Sequence, residues 1–419
     1  MGEAIDKARR ACESAPSLAC ASASQRSNVI RRAAELLREG AGEIVGANAR
    51  DVQRAREAGM ADPLIDRLLL TPGRVASIAA AMDEVASQDD PLNRVVDGST
   101  TADGLRIEKV TVPLGVVAII YEARPNVTAD AFALCMRSGN ACVLKGGSAA
   151  SESCRAIVAA CRRACAELGF SPDSVVYVDD DASHSQTSEL LEAIGVIDVL
   201  IPRGGAGLIR ACVEGAKVPV IETGTGNCHI YLHESADTAK AVSITVNAKT
   251  SRPGTCNSAE SLLVDRCAAS RLLPPVLKAL AEKGVELVGD PLARECADAA
   301  GVPMAAATED DWGREYLDLK MSVKCVEGVD EAISHINRYG TRHSEAIVCE
   351  SYAASERFLA GVDAAAVYVN ASTRFTDGGV FGLGGEIGIS TQKLHARGPM
   401  GASALTTTKY QIRGDGQVR

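Results

Sequence analysis

The stretch PLGVVAIIYEARPNVTADAFALCMRSGNACVLKGG, residues 113–147, sets the pattern that most of the chain repeats. It begins with an apolar run of strand length, 116–121, continues with apolar residues at helical spacing over 126–138, and ends with a second apolar run, 141–145. A strand, a helix and a second strand joined by short connections are typical of a parallel β-α-β unit. The alternation continues along the first half of the chain and resumes in the second. The sequence therefore predicts an α/β fold of two doubly wound domains joined near residue 225.

Three segments lie outside this alternation. Residues 3–90 carry apolar residues at helical spacing and predict a helical lead-in. Residues 94–112, with Asp103-Gly104 at the turn and alternating apolar residues around it, predict a small β-hairpin that projects from the body. Residues 405–413 resemble a strand. We expect this strand either to form a sheet with the hairpin across a subunit interface or to join its own domain.

Composition and charge exclude several classes of protein. A chain of 419 residues is too long for one small core, and 46% hydrophobic with 23% charged residues is ordinary for a globular protein in water. The net charge of −10 and the lack of a basic stripe argue against a nucleic-acid partner. The sequence holds no run of about 20 apolar residues that would span a membrane, and its first residues lack the apolar core of a secretion signal. We therefore expect a cytoplasmic protein.

Cysteine is abundant, but its spacing does not indicate disulfides or a metal site. The fourteen cysteines include no Cys-x-x-Cys pair, and the six histidines do not cluster with them, so we expect no metal and mostly buried, reduced thiols. Cys256 differs, because it follows a Pro-Gly break in NAKTSRPGTCNS, residues 247–258, between a helix-like and a strand-like run. A cysteine on such a turn can present its sulfur to a cleft, which makes Cys256 the candidate nucleophile.

Glycine-rich turns follow three of the predicted strands. They are the segments 145–148 (KGGS), 203–207 (RGGAG) and 222–226 (ETGTG). In an open α/β sheet ligands collect at the carboxyl ends of the strands, and glycine lets backbone N–H groups approach a phosphate. A glycine after a strand is also often only a turn. None of the three matches the Gly-x-Gly-x-x-Gly fingerprint with a downstream acid, so the sequence does not predict an ordinary Rossmann dehydrogenase.

Five longer motifs carry a resemblance to a known family. They are YEARPN (121–126), PVIETGTGNCH (219–229), SRPGTCN (251–257), STRFTDG (372–378) and TQKLHARGPM (391–400). Together they resemble the aldehyde dehydrogenase superfamily and, within it, the γ-glutamyl phosphate reductase family, also called glutamate-5-semialdehyde dehydrogenases. The resemblance covers nearly the whole chain. It implies an aldehyde dehydrogenase-like fold with an NADP-binding domain over 1–225, a catalytic domain over 226–395, and a tail with an oligomerisation strand over 396–419.

The resemblance also implies an activity. Members of this family reduce L-glutamyl 5-phosphate with NADPH to L-glutamate 5-semialdehyde and phosphate, through a cysteine thioester, in proline biosynthesis. We do not expect the fused pyrroline-5-carboxylate synthase, which carries an amino-acid kinase domain as well. We expect a homo-oligomer with functional coupling to a separate glutamate 5-kinase. Two alternatives stay open, namely another thioester-forming dehydrogenase that uses coenzyme A, and a catalytically inactive nucleotide-binding protein that keeps the fold.

Residue roles follow by matching the family motifs. Cys256 corresponds to the nucleophile and Asn126 to the amide that holds the oxyanion, although Asn126 is equally suited to capping the helix after Pro125. Glu222 corresponds to the general base of hydrolytic members. A reductase must not hydrolyse its thioester, so Glu222 is either structural or holds a water or the resting cysteine.

Cofactor and substrate contacts are assigned in the same way. Lys145 matches the lysine on the adenine ribose, and Ser148 stands where NAD-preferring relatives often place a glutamate, which favours NADP. The glycines at the predicted phosphate turn are Gly204 and Gly205, and Glu315 matches the glutamate on the nicotinamide ribose. The candidates for holding the anionic substrate are Arg124, Arg252, Arg342, Arg374 and His343.

Overall fold

The computed structural model describes residues 2–122, 124–179 and 185–419, without the side chain of Pro63. Ala123, inside the first of the five motifs, lies outside the described residues. Over these ranges no helix is both long enough and apolar enough to cross a membrane. The helices are α1 Glu3–Cys20, α2 Ala23–Glu39, α3 Ala41–Glu57, α4 Asp62–Leu68, α5 Pro72–Ser87, α6 Asn126–Arg137, α7 Ser151–Glu167, α8 Ser185–Leu191, α9 Ala206–Gly215, α10 Thr238–Thr250, α11 Ala269–Glu282, α12 Pro291–Ala300, α13 Val329–Tyr339 and α14 Tyr352–Gly361. The strands are β1 Val95–Thr100, β2 Arg106–Pro113, β3 Val116–Tyr121, β4 Ala141–Gly146, β5 Val175–Tyr177, β6 Val199–Arg203, β7 Cys228–Leu232, β8 Ala259–Asp265, β9 Glu286–Gly289, β10 Ala305–Ala306, β11 Lys320–Val326, β12 Ser344–Val348, β13 Ala366–Val369, β14 Ile389–Ser390, β15 Gly398–Pro399 and β16 Thr406–Arg413.

The chain divides into two compact units. The first contains the run up to Thr223 together with Gly382–Gly388 and Pro399–Arg419, and the second contains Gly224–Phe381 and Ile389–Gly398. The sequence interpretation put the division after residue 225 and treated 396–419 as a separate tail. The structure instead assigns most of that tail to the first unit, because β16 pairs antiparallel with β2 along its whole length.

The first unit is built on a four-stranded parallel sheet in the order β5-β4-β3-β6. Every residue of β3 and β4 is buried, as expected for parallel strands covered on both faces, and this is why both strands are continuous apolar runs. The predicted helical lead-in is confirmed as α1 to α5. The side chain of Ser22 caps α2 and forms a capping box with Gln25, and Thr71 caps α5.

The predicted hairpin is also confirmed. Strands β1 and β2 pair antiparallel, and β16 adds to β2 to give a three-stranded sheet in the order β1-β2-β16. Asn140 reinforces this arrangement by donating from its side-chain amide to the carbonyl of Leu405 at 2.9 Å. Of the two outcomes expected for the terminal strand, the structure therefore shows pairing within its own unit. An oligomerisation role for this sheet stays a prediction.

The second unit has a seven-stranded sheet in the order β10-β9-β11-β8-β7-β12-β13, and its strands are parallel. Successive residues of β7 point to opposite faces, so Ile230 packs in one apolar cluster and Tyr231 in another. The Ile230 cluster includes residues of α10, α11 and α12, and the Tyr231 cluster includes residues of α13 and α14. Helices thus cover both faces, and the doubly wound prediction is confirmed.

Two strand predictions differ from the structure. The strand expected just before the glycine turn at 222–226 does not form, because Leu200 and Val220 make only an isolated bridge and Pro219 has no N–H to donate to a ladder. Strand β7 was missed because it is short and His229 interrupts its apolar pattern. The burial of His229 is stabilised by Glu345, which accepts hydrogen bonds from its backbone N–H at 2.7 Å and pairs with its ring Nδ1 at 3.0 Å.

The cysteines are free thiols, and ten of the fourteen are buried. The interpretation of cysteine as a small core residue therefore holds for most of them. It is wrong for Cys20 and Cys267, which are exposed. Cys256 is half-buried.

Candidate active site

Cys256 lies on the turn between α10 and β8, where successive bends carry the chain from the helix into the sheet. Side-chain hydroxyls fix this turn. Thr255 donates to the carbonyl of Arg252 at 2.8 Å, and Ser258 donates to the carbonyl of Ala248 at 3.1 Å. The thiol is therefore held on an ordered turn, in contrast to the buried helical thiol of Cys154.

The peptide of Cys256 is supported from the strand beside it. The Cys228 thiol donates to the carbonyl of Cys256 with an Sγ–O distance of 3.1 Å. Gly226 approaches the same carbonyl so closely that a Cβ at this position would lie 1.5 Å from the oxygen. Only glycine leaves room for this contact. Gly226 was expected to belong to a cofactor turn, and the structure shows that it packs against the candidate nucleophile.

Asn257 fixes the other side of the turn. Its side-chain amide donates to the backbone carbonyl of Thr376 at 2.9 Å. Its backbone carbonyl accepts from the Thr373 hydroxyl at 2.7 Å. Thr376 is held in turn by the hydroxyls of Ser344 and Tyr368, each at 2.7 Å. The motif at 372–378 is thereby tied directly to the nucleophile turn.

Arg374 brings positive charge to the same turn. Its guanidinium donates to the hydroxyl of Thr255 at 2.8 Å and to that of Ser251 at 3.1 Å. Burial lowers the pKa of Arg374, and neighbouring Arg252 lowers it further, while the thiol of Cys256 acts in the opposite direction. A cation beside a thiol favours its thiolate form, and Arg374 is placed to act on Cys256 in this way.

The other substrate-binding candidates of this unit lie elsewhere. His343 is fully buried, with its Nδ1 at 2.8 Å from the Ser344 hydroxyl and 3.8 Å from the Cys228 sulfur. The ring therefore lies behind Cys228, and it has no exposed surface with which to contact a substrate. Arg342 is exposed and pairs with Asp363 at 3.8 Å.

Glu315 is not a solvated surface acid. One of its carboxylate oxygens accepts a hydrogen bond from the backbone N–H of Gly226 at 2.6 Å. Glu315 is thus connected through Gly226 to the peptide of Cys256. Its predicted contact with a nicotinamide ribose stays a prediction.

A buried ion pair lies behind the nucleophile turn. Lys249, at the end of α10, donates to Glu260 of β8 at 2.6 Å, and both side chains are fully buried. Burial raises the pKa of Glu260 to about 7 although Lys249 opposes the shift, and burial lowers the pKa of Lys249 against the attraction of Glu260. Glu260 also accepts from the N–H of Leu317 at 3.2 Å. The pair therefore joins the ends of the nucleophile turn to the segment that carries Glu315.

The first unit gathers its candidate residues at the carboxyl ends of adjacent strands. Lys145 of β4 is paired in register with Ile120 of β3, and Tyr121 of β3 is paired with Arg203 of β6. The predicted glycine turns after β4 and β6 therefore follow strands that flank β3. This is the edge at which open α/β sheets bind ligands.

The cofactor candidates at this edge differ in exposure. The Lys145 side chain is buried, whereas Ser148 is exposed in the short turn before α7. Gly204 and Gly205 are exposed at the start of α9, and the N–H of Gly205 donates to the carboxylate of Glu122 at 3.1 Å. The backbone N–H at this helix N-terminus therefore binds an anionic group, the Glu122 carboxylate, and its predicted contact with a cofactor phosphate stays a prediction.

Asn126 opens α6 and does not cap it. The cap position is Pro125, and the Asn126 side chain instead donates from Nδ2 to Asp130 at 3.2 Å. Arg124 is half-buried just before this helix, and Glu222 is half-buried close to the end of the unit's long run. The capping alternative for Asn126 is therefore wrong, while the roles of Arg124 and Glu222 stay predictions.

The sequence interpretation missed Cys228, Glu260 and Asp130. Asp130 follows Asn126 by four residues on a predicted helix, a spacing that places two side chains on one face and would have indicated the contact. Cys228 and Glu260 had no such local signal. Among the described residues, no group of three or more histidine, cysteine or acidic side chains is placed to hold a metal ion.

Comparison with known proteins agrees with the resemblance carried by the sequence motifs. The model of the aldehyde dehydrogenase family matches residues 1–311. Gamma-glutamyl phosphate reductase of Clostridium perfringens is 52% identical over 417 residues, covering 100% of this chain and 99% of that protein. The protein of the same name from Thermobifida fusca is 50% identical over 412 residues, covering 98% of this chain and 97% of that protein.

Solved structures give the same fold. The crystal structure of gamma-glutamyl phosphate reductase from Thermotoga maritima has a TM-score of 0.95 at 46% identity and covers 100% of both chains. An acetylating aldehyde dehydrogenase from Geobacillus thermoglucosidasius has a TM-score of 0.70 at 18% identity, covering 100% of this chain and 97% of that chain, and shares the fold alone. The expected aldehyde dehydrogenase-like α/β fold is confirmed.

Proposed function

The chain belongs to the aldehyde dehydrogenase family, among its γ-glutamyl phosphate reductases, and on that premise we propose that it reduces L-glutamyl 5-phosphate to L-glutamate 5-semialdehyde and phosphate through a thioester on Cys256. One observation carries the proposal. The thiol of Cys256 is half-buried on an ordered turn, with its peptide held by Gly226 and Cys228 and with Arg374 beside it.

The chemistry begins at the thiolate of Cys256. It attacks the acyl carbon, a C–S bond forms, the bond to the phosphate oxygen breaks, and phosphate leaves. This covalent step replaces an anionic acyl phosphate by a neutral thioester, which accepts negative charge more readily. After reduction the C–S bond breaks, the semialdehyde is released and Cys256 is free again. Arg252 and Arg374 supply the positive charge that favours the thiolate and neutralises the departing anion.

Both tetrahedral intermediates carry an oxyanion that needs hydrogen-bond donors. We assign one donor to the amide of Asn126 and the other to the backbone N–H of Cys256, a residue whose carbonyl accepts a hydrogen bond from the Cys228 thiol. The loss of one such donor commonly reduces kcat by about 10²–10³-fold. Glu222 is assigned no step in this proposal, because activation of water at this position would hydrolyse the thioester.

NADPH is the proposed cofactor. Lys145 would contact the adenine ribose, the N–H groups at Gly204 and Gly205 would receive a phosphate, and Glu315 would hold the nicotinamide ribose. The exposed hydroxyl of Ser148 carries no negative charge that would repel a 2′-phosphate. When bound, NADPH supplies the hydride that reduces the thioester carbon.

The proposed reaction belongs to proline biosynthesis in the cytoplasm. Its substrate is an acyl phosphate, which a glutamate 5-kinase would supply. The amino-acid head group of the substrate carries a carboxylate, and Arg124 is the remaining arginine candidate for binding it.

The reverse reaction tests the proposal directly. Purified protein is supplied with pyrroline-5-carboxylate, which equilibrates with the semialdehyde, together with NADP and phosphate, and the formation of NADPH is followed by absorbance. We expect NADPH formation that depends on phosphate. Turnover that instead requires coenzyme A would identify a coenzyme A-dependent dehydrogenase, and cofactor binding without turnover would identify an inactive member of the fold.

A pair of cysteine variants tests the nucleophile. Cys256→Ser is expected to lose nearly all activity, roughly 10³-fold or more, because a hydroxyl is a far weaker nucleophile at neutral pH. Cys154→Ser is the matched control. Cys154 is buried in α7, and burial raises the pKa of its thiol to about 11, so this variant is expected to keep most of its activity. Equal losses in the two variants would mean that Cys256 is not the nucleophile.

A further inference from the structure

Asp130 lies one helical turn after Asn126 on α6. The Nδ2 of Asn126 and the Oδ2 of Asp130 are 3.2 Å apart, which is a hydrogen bond between the amide and the carboxyl group. The two residues are four positions apart, so the rigid helix holds their side chains on the same face. The contact lies within the first unit and depends on no other segment.

The contact determines which end of the Asn126 amide faces the helix. An ionised carboxylate can only accept hydrogen bonds, whereas an amide presents a donating NH₂ group at one end and an accepting oxygen at the other. Asp130 therefore selects the orientation in which NH₂ faces the carboxylate. One N–H is then bound to Asp130, and the second N–H of the same nitrogen remains available as a donor.

We propose that Asp130 is the positioning residue for the Asn126 amide, and that it keeps the N–H end, not the carbonyl end, directed at the reacting oxyanion. The inference rests on the proposed function, in which Asn126 supplies that donor. An amide turned by 180° about its last bond would present an oxygen to the oxyanion and would repel it. Asp130 itself contacts no reacting atom in this proposal.

The charged groups that face Asp130 are Arg203 at the end of β6 and Glu386 of the segment Gly382–Gly388, which lie 3.6 Å apart. Burial raises the pKa of Asp130 to about 6, with Glu386 adding to the rise and Asn126 and Arg203 opposing it. Below that pH the protonated carboxyl can donate to the oxygen of Asn126 and turn the amide. Activity that depends on Asn126 should therefore fall as the pH drops through about 6.

The test compares wild type with Asp130→Asn, Asn126→Ala and the double variant, in the reductive direction between pH 5 and 8. An asparagine at 130 presents either a donor or an acceptor and no longer selects one orientation. We expect kcat to fall about 10–100-fold, less than the roughly 10²–10³-fold that loss of an oxyanion donor itself costs, with KM for NADPH unchanged. In the Asn126→Ala background Asp130→Asn should cause no further loss, because it acts only through Asn126.

Wild type should also show a fall in kcat near pH 6 that Asn126→Ala lacks, a comparison that needs no change at Asp130. Asp6→Asn, on the exposed face of α1, is the control for loss of one carboxylate. The proposal is overturned if Asp130→Asn keeps wild-type kcat, if its loss adds in full to that of Asn126→Ala, or if Asn126→Ala keeps the fall near pH 6. Failure of the proposed function itself would look different, because wild type would then form no phosphate-dependent NADPH.

Discussion

Gly226 contacts the carbonyl of Cys256 where no side chain fits. A methyl group there would lie 1.5 Å from the carbonyl oxygen, against backbone that cannot move aside without shifting the nucleophile. We expect Gly226→Ala to displace the turn and to lower kcat by about 10²-fold or more, since a misplacement of 1 Å can cost this much. Steady-state kinetics together with thermal unfolding would measure the effect.

Gly46→Ala provides the matched control for that variant. Gly46 lies within α3, and a Cβ added there meets no atom within 4 Å. Alanine should stabilise this helix by about 0.5–1 kcal/mol and leave kcat unchanged. Wild-type kcat in Gly226→Ala would show that the turn adapts and that the close contact is not required.

Ser148 tests the choice of cofactor at a single residue. It is exposed in the turn after β4, where a carboxylate would face the ribose if NADP binds as proposed. Ser148→Glu should repel the 2′-phosphate of NADPH and lower the ratio of kcat/KM for NADPH over NADH by about 10-fold, equivalent to 1.4 kcal/mol. Kinetics with both cofactors measure the ratio. An unchanged ratio would place the 2′-phosphate elsewhere.

At the scale of elements, the nucleophile turn depends on the end of α10 and the start of β8. Lys249 and Glu260 join these two ends in a buried ion pair at 2.6 Å. Removing one partner of a buried pair leaves the other charge unpaired in a low-dielectric interior, which typically costs about 3–5 kcal/mol. The pair therefore stabilises the geometry of the turn from its buried side.

Lys249→Met is expected to destabilise the protein in a pH-dependent way. The pKa of Glu260 is raised to about 7 from 4.5, so its protonated form adds stability at low pH that is lost as the pH rises through about 7. That value already includes the opposing effect of Lys249, so removing Lys249 raises the pKa of Glu260 further and enlarges the loss of stability at high pH. The melting temperature of the variant should therefore be close to that of wild type near pH 5.5 and well below it at pH 8.

Lys240→Met, on the same helix, serves as the control for that prediction. Lys240 pairs with Glu350 at 2.6 Å, but both side chains are about half exposed. An exposed pair contributes about 0–1 kcal/mol, so this variant should shift the melting temperature little at either pH. A drop for Lys249→Met of equal size at pH 5.5 and pH 8 would contradict the role assigned to Glu260.

Individual strands show what the sequence could predict and what it could not. Strand β3 matches its predicted bounds, because a parallel strand buried on both faces is a continuous apolar run. Strand β7 was missed because His229 depends on Glu345, which is 116 residues away. Motifs predicted roles for Cys256 and Asn126, whereas they did not predict the hydrogen bond from Cys228 to the carbonyl of Cys256. Buried polar partners come from distant segments, and local patterns do not report them.

At the scale of the whole molecule, each compact unit gathers its own set of candidate residues. The first brings Asn126, Lys145 and the glycine turn after β6 to the ends of adjacent strands. The second surrounds Cys256 with Gly226, Cys228 and Arg374.

The three-stranded sheet of the first unit carries the prediction for assembly. Every residue of β1 is exposed, and Tyr410 and Ile412, which share one face of β16, are 63% and 59% exposed. Exposed apolar side chains on a sheet suit a second copy of the chain, which would remove them from water. We expect a homo-oligomer in solution, and we expect Tyr410→Asp with Ile412→Asp to reduce its mass in size-exclusion chromatography with light scattering.

The variant should remain folded, because both side chains lie outside the core and β16 keeps its pairing with β2. Val418→Asp is the matched control. It also replaces an exposed apolar side chain near the end of the chain, but it lies beyond the sheet and should leave the mass unchanged. An unchanged mass in the double variant, or a monomeric wild type, would remove the oligomerisation role from this sheet, and β16 would then serve only to close its own unit.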